Sequence, residues 1–215
     1  MKTIIINGGS IDDVFAVAYM QDYSADYIIA ADKGMEFCYR NGILPDCIIG
    51  DYDSVEPDIL SFFRAKQGII WRDFIPEKDY TDSEIAIDMA LSVGSAQVHM
   101  LGATGTRLDH VIGNVQLLYR LKESGVEGRI VDAHNRIRMV EKQEVLYRNQ
   151  QFGKYVSVLP LTTTLEGITL TGFKYPLQQA RITSDNTLGI SNEIDEAKAV
   201  ITIERGVAIV IESRD

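Results

Sequence analysis

Only two cysteines occur in 215 residues, Cys38 and Cys47, both in apolar-rich stretches and neither in a CxxC nor beside a histidine. That sparseness excludes a disulfide framework and a thiolate metal site, and it predicts two buried free thiols in a reducing compartment. Histidine is scarce too: His99, His110 and His134 show no ligand-type spacing, which argues against zinc. Basic residues are outnumbered 31 to 21, for a formal net charge of −10. Such a surface repels nucleic acid and anionic membrane, although a small anionic ligand stays compatible if a metal or local cations neutralise it. No apolar run approaches membrane-spanning length, and the opening Met1–Asn7 is too short for a secretory hydrophobic segment. A soluble, cytoplasmic protein without nucleic-acid or membrane partners is therefore expected. Neither GxGxxG nor a P-loop is present, nor a Ser-His-Asp or Cys-His arrangement, an internal repeat or a Gly/Ser-rich linker.

What is present is 46 % apolar residues in two kinds of pattern. Up to about Ile130, short continuous runs at Thr3–Ile6, Tyr27–Ala31, Cys47–Ile49, Ile69–Trp71 and Val98–Leu101 read as strands buried on both faces. Between them lie helix-period segments with recognisable punctuation. Ile11–Tyr23 is amphipathic, Lys33–Arg40 stops at Asn41-Gly42, and Pro57 opens a segment that closes at Gly68. Thr81-Asp82-Ser83-Glu84 reads as a capping box, with Glu84 and Asp88 on a solvated face, and a further stripe runs from Leu108 to Gly125. After Ile130 the runs shorten and alternate, and at the end Arg205-Gly206 turns the alternating Ile201 and Ile203 into Val207–Ile211 as a hairpin. The expected fold is α/β: an N-terminal Rossmann-like parallel sheet with helices on both faces over 1–133, then an antiparallel, sandwich-like β-domain over 134–215.

In open parallel sheets, ligands bind beyond the carboxyl ends of the strands. Here the five strand ends deliver Asn7-Gly8-Gly9, Asp32-Lys33-Gly34, Gly50-Asp51-Tyr52-Asp53-Ser54, Lys78-Asp79-Tyr80-Thr81-Asp82 and Gly105-Thr106-Arg107-Leu108-Asp109-His110. The two glycines after the first strand suit a phosphate approach or simply a tight turn. Asp51-x-Asp53 can reach one hard cation, since Mg²⁺ is usually held by one or two carboxylates plus phosphate oxygens and water. Thr81 explains itself as a helix cap, whereas Asp79 and Asp82 together exceed what a cap needs. Arg107 offers a fork for phosphate, and Asp109 stands at a helix start; His110 reads as an ordinary packed or solvent-facing side chain. Carboxylates, Lys and Arg on one rim without a covalent nucleophile describe metal-assisted phosphoryl or diphosphoryl transfer, in which the protein positions groups and neutralises charge. A metal-dependent nucleotidyl- or glycosyl-transferase using DxD, or a non-catalytic sensor of a nucleotide or other small ligand, would use the same groups.

Taken together, GD-[aromatic]-DS, KDxTD, GxRxDH, the early Ala31-Asp32-Lys33-Gly34 and the late Ser191-Asn192 resemble the thiamine pyrophosphokinase family across nearly the whole chain and in the family's order. The resemblance implies diphosphate transfer from ATP to thiamine, giving thiamine diphosphate and AMP. It also implies an ATP- and Mg²⁺-binding first domain, a thiamine-binding second domain, and a homodimer with active sites at the subunit interface. Carried over by residue, Asp51, Asp53 and Asp82 correspond to the Mg²⁺ ligands, and Asp79 and Thr81, with Asp82, to the groups beside the thiamine hydroxyl and the diphosphate. Arg107 and Asp109 fall to the ATP site, and Ser191 and Asn192 to thiamine; the reading of the rim itself, apart from the resemblance, adds Asn7, Gly8, Gly9, Asp32, Lys33, Gly34 and Lys78 to the expected ATP site. Family members often have Gly where Lys33 stands. Some relatives place a stacking aromatic near the Ser-Asn pair, where Ile194 and Asp195 follow here.

Overall fold

The apolar runs of the first 131 residues become six parallel strands in a computed structural model, which describes residues 1–53, 55–73 and 80–215. They are β1 (Lys2–Ile6), β2 (Tyr27–Ala31), β3 (Cys47–Gly50), β4 (Ile70–Asp73), β5 (Gln97–Leu101) and β6 (Glu127–Val131), in the spatial order β6-β5-β1-β2-β3-β4. The central strands are buried on both faces, with Ile4, Ile5, Ile6, Ile29, Ile48 and Ile49 all at 0 % exposure. This is why their sequences show no polar alternation. Helices α1 (Asp13–Tyr23), α2 (Gly34–Arg40), α3 (Pro57–Arg64), α4 (Asp82–Ser92) and α5 (Leu108–Glu123) connect them. Right-handed crossovers place α1 to α3 on one face as the chain steps from β1 to β4, and α4 and α5 on the other as it returns to β5 and β6. The direction of winding thus reverses between β1 and β5, and a crevice opens where their following loops part.

The chain divides into two compact units, Met1–Ala133 and His134–Asp215. The second is antiparallel, built from β7 (Asn135–Val140), β8 (Gln143–Tyr147), β9 (Tyr155–Pro160), β10 (Thr164–Thr171), β11 (Leu177–Thr183), β12 (Asn192–Glu193), β13 (Lys198–Thr202) and β14 (Ala208–Ser213). One set runs β12-β9-β14-β7 and the other β11-β10-β13-β8. Val156, Val158, Leu165, Ile168, Ile201 and Val210 lie in the shared apolar core. The expected hairpin at Arg205-Gly206 does not form. β13 pairs with β8 and β10, whereas β14 pairs with β7 and β9, so this turn carries the chain from one sheet to the other. Alternation specifies which face of a strand is buried but not its neighbour.

No described helix is long and apolar enough to cross a membrane. Cys38 and Cys47 are both buried free thiols, and burial pushes them up to about 12 and about 11.

Candidate active site

A cavity of about 570 Å³ opens at the β1/β5 crevice of the first unit. Its floor is made by two loops that grip each other. The Gly9 amide donates to the Gly102 carbonyl at 2.9 Å, and the Ser10 amide to the Thr104 carbonyl at 2.8 Å. A Cβ on Gly9 would fall 2.2 Å from the Thr104 carbonyl oxygen, so this position admits only glycine. The Gly9 and Ser10 amides therefore serve the partner loop, and Gly9 exists for loop packing. Gly34 is similar: a Cβ there would sit 1.9 Å from the Ile6 carbonyl oxygen, and this buried glycine lets α2 start close against β1. Gly8, Gly9, Asp32 and Lys33 line the cavity, whereas Gly34 does not.

Asn7 also lines the cavity, but its side-chain polar atoms are engaged by the protein. Nδ2 donates to the Leu101 carbonyl at 3.2 Å, and Oδ1 accepts from Ser83 Oγ at 2.8 Å. Ser83 belongs to the first turn of α4, whose N-cap is Thr81. The Thr81 hydroxyl accepts from the Glu84 amide at 3.3 Å, the expected half of a capping box. The other half is missing because the Glu84 carboxylate turns to Arg120 of α5 at 2.7 Å, and Asp88 joins the same guanidinium at 2.6 Å. These two carboxylates thus clamp α4 to α5 and are not merely solvated. Thr81 and Asp82 stand on the cavity wall. Lys78 and Asp79 lie outside the described residues.

Beside the cavity, carboxylate oxygens of Asp32, Asp51 and Asp53 lie within 4.8 Å of one another. Asp32 is common to this acidic group and to the cavity lining. Two left-handed residues bend the carboxylates together: Asp32 itself at φ 47° and Tyr52 at φ 62°. The Asp53 amide donates to Asp51 Oδ1 at 3.2 Å, which folds the turn on itself. Three carboxylate donors from two adjacent loops fit a hard divalent cation that also takes phosphate oxygens and water. Among the described residues this group contains Asp51 and Asp53, the two carboxylates of the DxD spacing. Asp32 takes the third place, while Asp82 faces the cavity from α4.

At the far side, Arg107 precedes α5 as its N-cap without a side-chain cap. Its guanidinium instead grips Asp109, with Nη2 2.6 Å from Oδ2 and Nε 3.3 Å from Oδ1. That hydrogen bond is the largest influence drawing Asp109 down to about 2, and it raises Arg107 in turn. Arg107 lines the cavity, as do His110, which the sequence reading takes for an ordinary packed or solvent-facing side chain, and Asn114, which no sequence pattern singles out. Asn114 is buried and donates to the Ala103 carbonyl at 2.8 Å, holding the loop that carries Thr104.

In the second unit, Ser191 is left-handed at φ 56° and its amide donates to Ser157 Oγ at 3.0 Å. Asn192 is buried and brackets the backbone of Tyr175: Oδ1 accepts from the Tyr175 amide at 3.0 Å and Nδ2 donates to its carbonyl at 2.7 Å. Asn192 Oδ1 also accepts from the Glu193 amide at 2.9 Å, so this side chain fastens one exposed aromatic, Tyr175, which is 59 % exposed. Tyr175 stands 17 residues before Asn192 in the chain.

Two family models match the chain, the thiamin pyrophosphokinase catalytic domain over residues 21–130 and the thiamin pyrophosphokinase vitamin B1 binding domain over residues 142–208. The thiamine pyrophosphokinase of Bacillus subtilis is 33 % identical over the whole of both chains. Its crystal structure superposes with a TM-score of 0.88, covering 100 % of each chain. That of the thiamin pyrophosphokinase of Geobacillus thermodenitrificans gives 0.85 at 31 % identity, covering 100 % of this chain and 98 % of the other. A thiamine pyrophosphokinase of Arabidopsis thaliana is 28 % identical, over 78 % of this chain and 64 % of its own.

Proposed function

From the premise that the chain belongs to the thiamine pyrophosphokinase family, and is a diphosphotransferase acting on thiamine, we propose that the first-unit cavity receives ATP beside a Mg²⁺ site. The observation that supports this most is Asp32, which faces the cavity and also belongs to the three-carboxylate group with Asp51 and Asp53. Asp82 faces the same cavity from α4 and completes the metal–phosphate surroundings. Bound Mg²⁺ supplies charge neutralisation and polarises the phosphoryl oxygens. Lys33 and Arg107 add cations from two sides of the cavity. Gly8 lines the same cavity and packs against Lys33, where a Cβ would fall 3.0 Å from the Lys33 Cβ.

In the reaction so assigned, the thiamine hydroxyl oxygen bonds to the β-phosphorus of ATP and gives up its proton. The bond from that phosphorus to the oxygen bridging the α-phosphate breaks, and AMP leaves. Thr81 and Asp82, with Asp79, are assigned to the neighbourhood of the hydroxyl and the diphosphate. For thiamine itself we assign the Ser191-Asn192 corner, with Asn192 holding the Tyr175 ring outward as an apolar face for a flat heterocycle.

The phosphate and metal groups all belong to the first unit, whereas the Asn192–Tyr175 pair belongs to the second. The reading therefore extends to a homodimer in which each active site, at the subunit interface, draws on both chains. It also places the enzyme in the cytoplasm, in keeping with two free thiols. Incubation with ATP, Mg²⁺ and thiamine should yield thiamine diphosphate and AMP in equal amounts. Release of ADP or of free diphosphate, or binding without turnover, would overturn the reading in favour of another transferase or a sensor.

A further inference from the structure

The bond between Ser83 and Asn7 has no part in capping α4, because Thr81 already accepts from the Glu84 amide. A hydroxyl at the second position of a helix offers no propensity advantage over alanine. Ser83 Oγ instead donates at 2.8 Å to Asn7 Oδ1, and Asn7 is 4 % exposed. Asn7 is itself fixed twice to the end of β5, by its backbone amide to the Leu101 carbonyl at 2.8 Å and by Nδ2 to the same oxygen at 3.2 Å. The rest of α4 rests on the sheet through Ala86, Ile87, Met89 and Ala90, and Glu84 and Asp88 tie it to α5 through Arg120. The apolar contacts are non-directional and the partly exposed ion pairs hold α4 to a neighbouring helix, so neither fixes its first turn against the end of β5, and that turn keeps some freedom there. A hydrogen bond of good geometry removes that freedom.

We infer that Ser83 is a positioning residue, acting through Asn7, which sets where the first turn of α4 presents Asp82 to the cavity. The inference rests on the reading that Asp82 serves the metal–phosphate centre. Because Asp82 immediately precedes Ser83, releasing the hydroxyl lets the carboxylate move with the turn. A misplacement of about 1 Å costs up to roughly a hundredfold in rate, and loss of a group that orients a metal ligand costs roughly ten- to a hundredfold in metal affinity.

The test compares wild type, Ser83→Ala and Ser83→Thr by steady-state kinetics, by calorimetric titration with Mn²⁺ alone, and by thermal unfolding. Ser83→Ala should lower kcat about ten- to a hundredfold and weaken Mn²⁺ binding about tenfold, with thiamine KM within about twofold and Tm within a few degrees. Ser83→Thr, which keeps the hydroxyl, should recover most of both losses. Wild-type kcat and Mn²⁺ affinity in Ser83→Ala would overturn the inference. So would equal losses in the threonine variant, or a collapse of Tm in the alanine variant, which would mark the bond as support for the fold. Absence of diphosphate transfer by the wild type would instead defeat the functional reading on which the inference rests.

Discussion

Arg107 holds a carboxylate only two positions away, that of Asp109, at 2.6 Å, on the rim where ATP phosphates are assigned. Both side chains are largely exposed, so the pair marks a preferred orientation and adds little to stability. A phosphate must compete with Asp109 for the guanidinium. Arg107→Ala should therefore raise KM for ATP roughly tenfold or more and leave KM for thiamine within about twofold. A raised thiamine KM with unchanged ATP dependence would move Arg107 to the other subsite.

The same pair fixes a pH dependence. Asp109 is drawn down to about 2 from 3.8, so it stays ionised, and the pair intact, above the ordinary carboxylate value. The pair is lost only as pH falls toward 2. An acid limb in kcat/KM for ATP above about pH 4.5 must then come from other groups, and Asp109→Asn should leave its position unchanged.

Removing one carboxylate from the acidic group should act through the metal. Asp51→Asn or Asp53→Asn should cut turnover by about two orders of magnitude or more and raise the Mg²⁺ needed for half activity, with Tm unchanged. Near-normal activity of both variants would remove the cation from this site. Asp32→Asn should behave the same way, because its oxygens share the group.

Tyr175→Ala should raise KM for thiamine about tenfold, the magnitude of one lost ring contact, and leave KM for ATP unchanged. Asn192→Ala should do the same at a distance by releasing the Tyr175 backbone. If Asn192→Ala impairs thiamine use and Tyr175→Ala does not, Asn192 contacts the substrate directly.

Complementation tests the shared site. Asp53→Asn and the Ser191-Asn192 double-alanine chain, each inactive, should regain up to about a quarter of wild-type activity when subunits exchange at random, because one of the two composite sites in a mixed dimer is intact. No recovery after exchange seen by native mass spectrometry would put each whole site in one chain.

Glu212 of β14 is fully buried, with Arg136 at 2.8 Å and Arg138 at 2.6 Å. Burial alone would raise it, yet the two guanidinium groups and the Phe152 amide bring it below its ordinary 4.5. The stability this adds is present above the ordinary glutamate value and is lost as pH falls through the lower folded value. Glu212→Gln leaves two guanidinium groups facing a neutral amide and should destabilise the β-unit by about 3 kcal/mol or more. A thermal shift under about 2 °C would show the network to be dispensable.

The parallel half was legible because strands buried on both faces must be apolar throughout, as Ile4 to Ile6 and Ile48-Ile49 are. The rim followed, since parallel strands put all their following loops at one edge. Less legible was what a polar or glycine residue on that rim does. Gly9 reads the same whether it admits a phosphate or the Thr104 carbonyl, and the 2.2 Å approach of that carbonyl comes from a loop far along the chain. Asn7 and Asn192 resemble ligand contacts in sequence, but both side chains hold backbone, a choice set by atoms 94 and 17 residues away. Asp32 joins Asp51 and Asp53 only because β2 and β3 are neighbours, and spacing along the chain does not encode strand order.

The sheet-crossing turn at Arg205-Gly206 has a temporal meaning. β14, the last strand of the β-unit, fills the slot between β7 and β9 and pairs with both along its full length. During synthesis those two earlier strands must wait, each with an open edge, until Ala208–Ser213 has cleared the ribosome. The α/β unit needs no such late arrival, since β1 to β6 are complete by Val131. Nascent chains should thus carry a folded α/β half joined to an unclosed β half. The growing protein is most exposed to misassociation just before its final strand inserts.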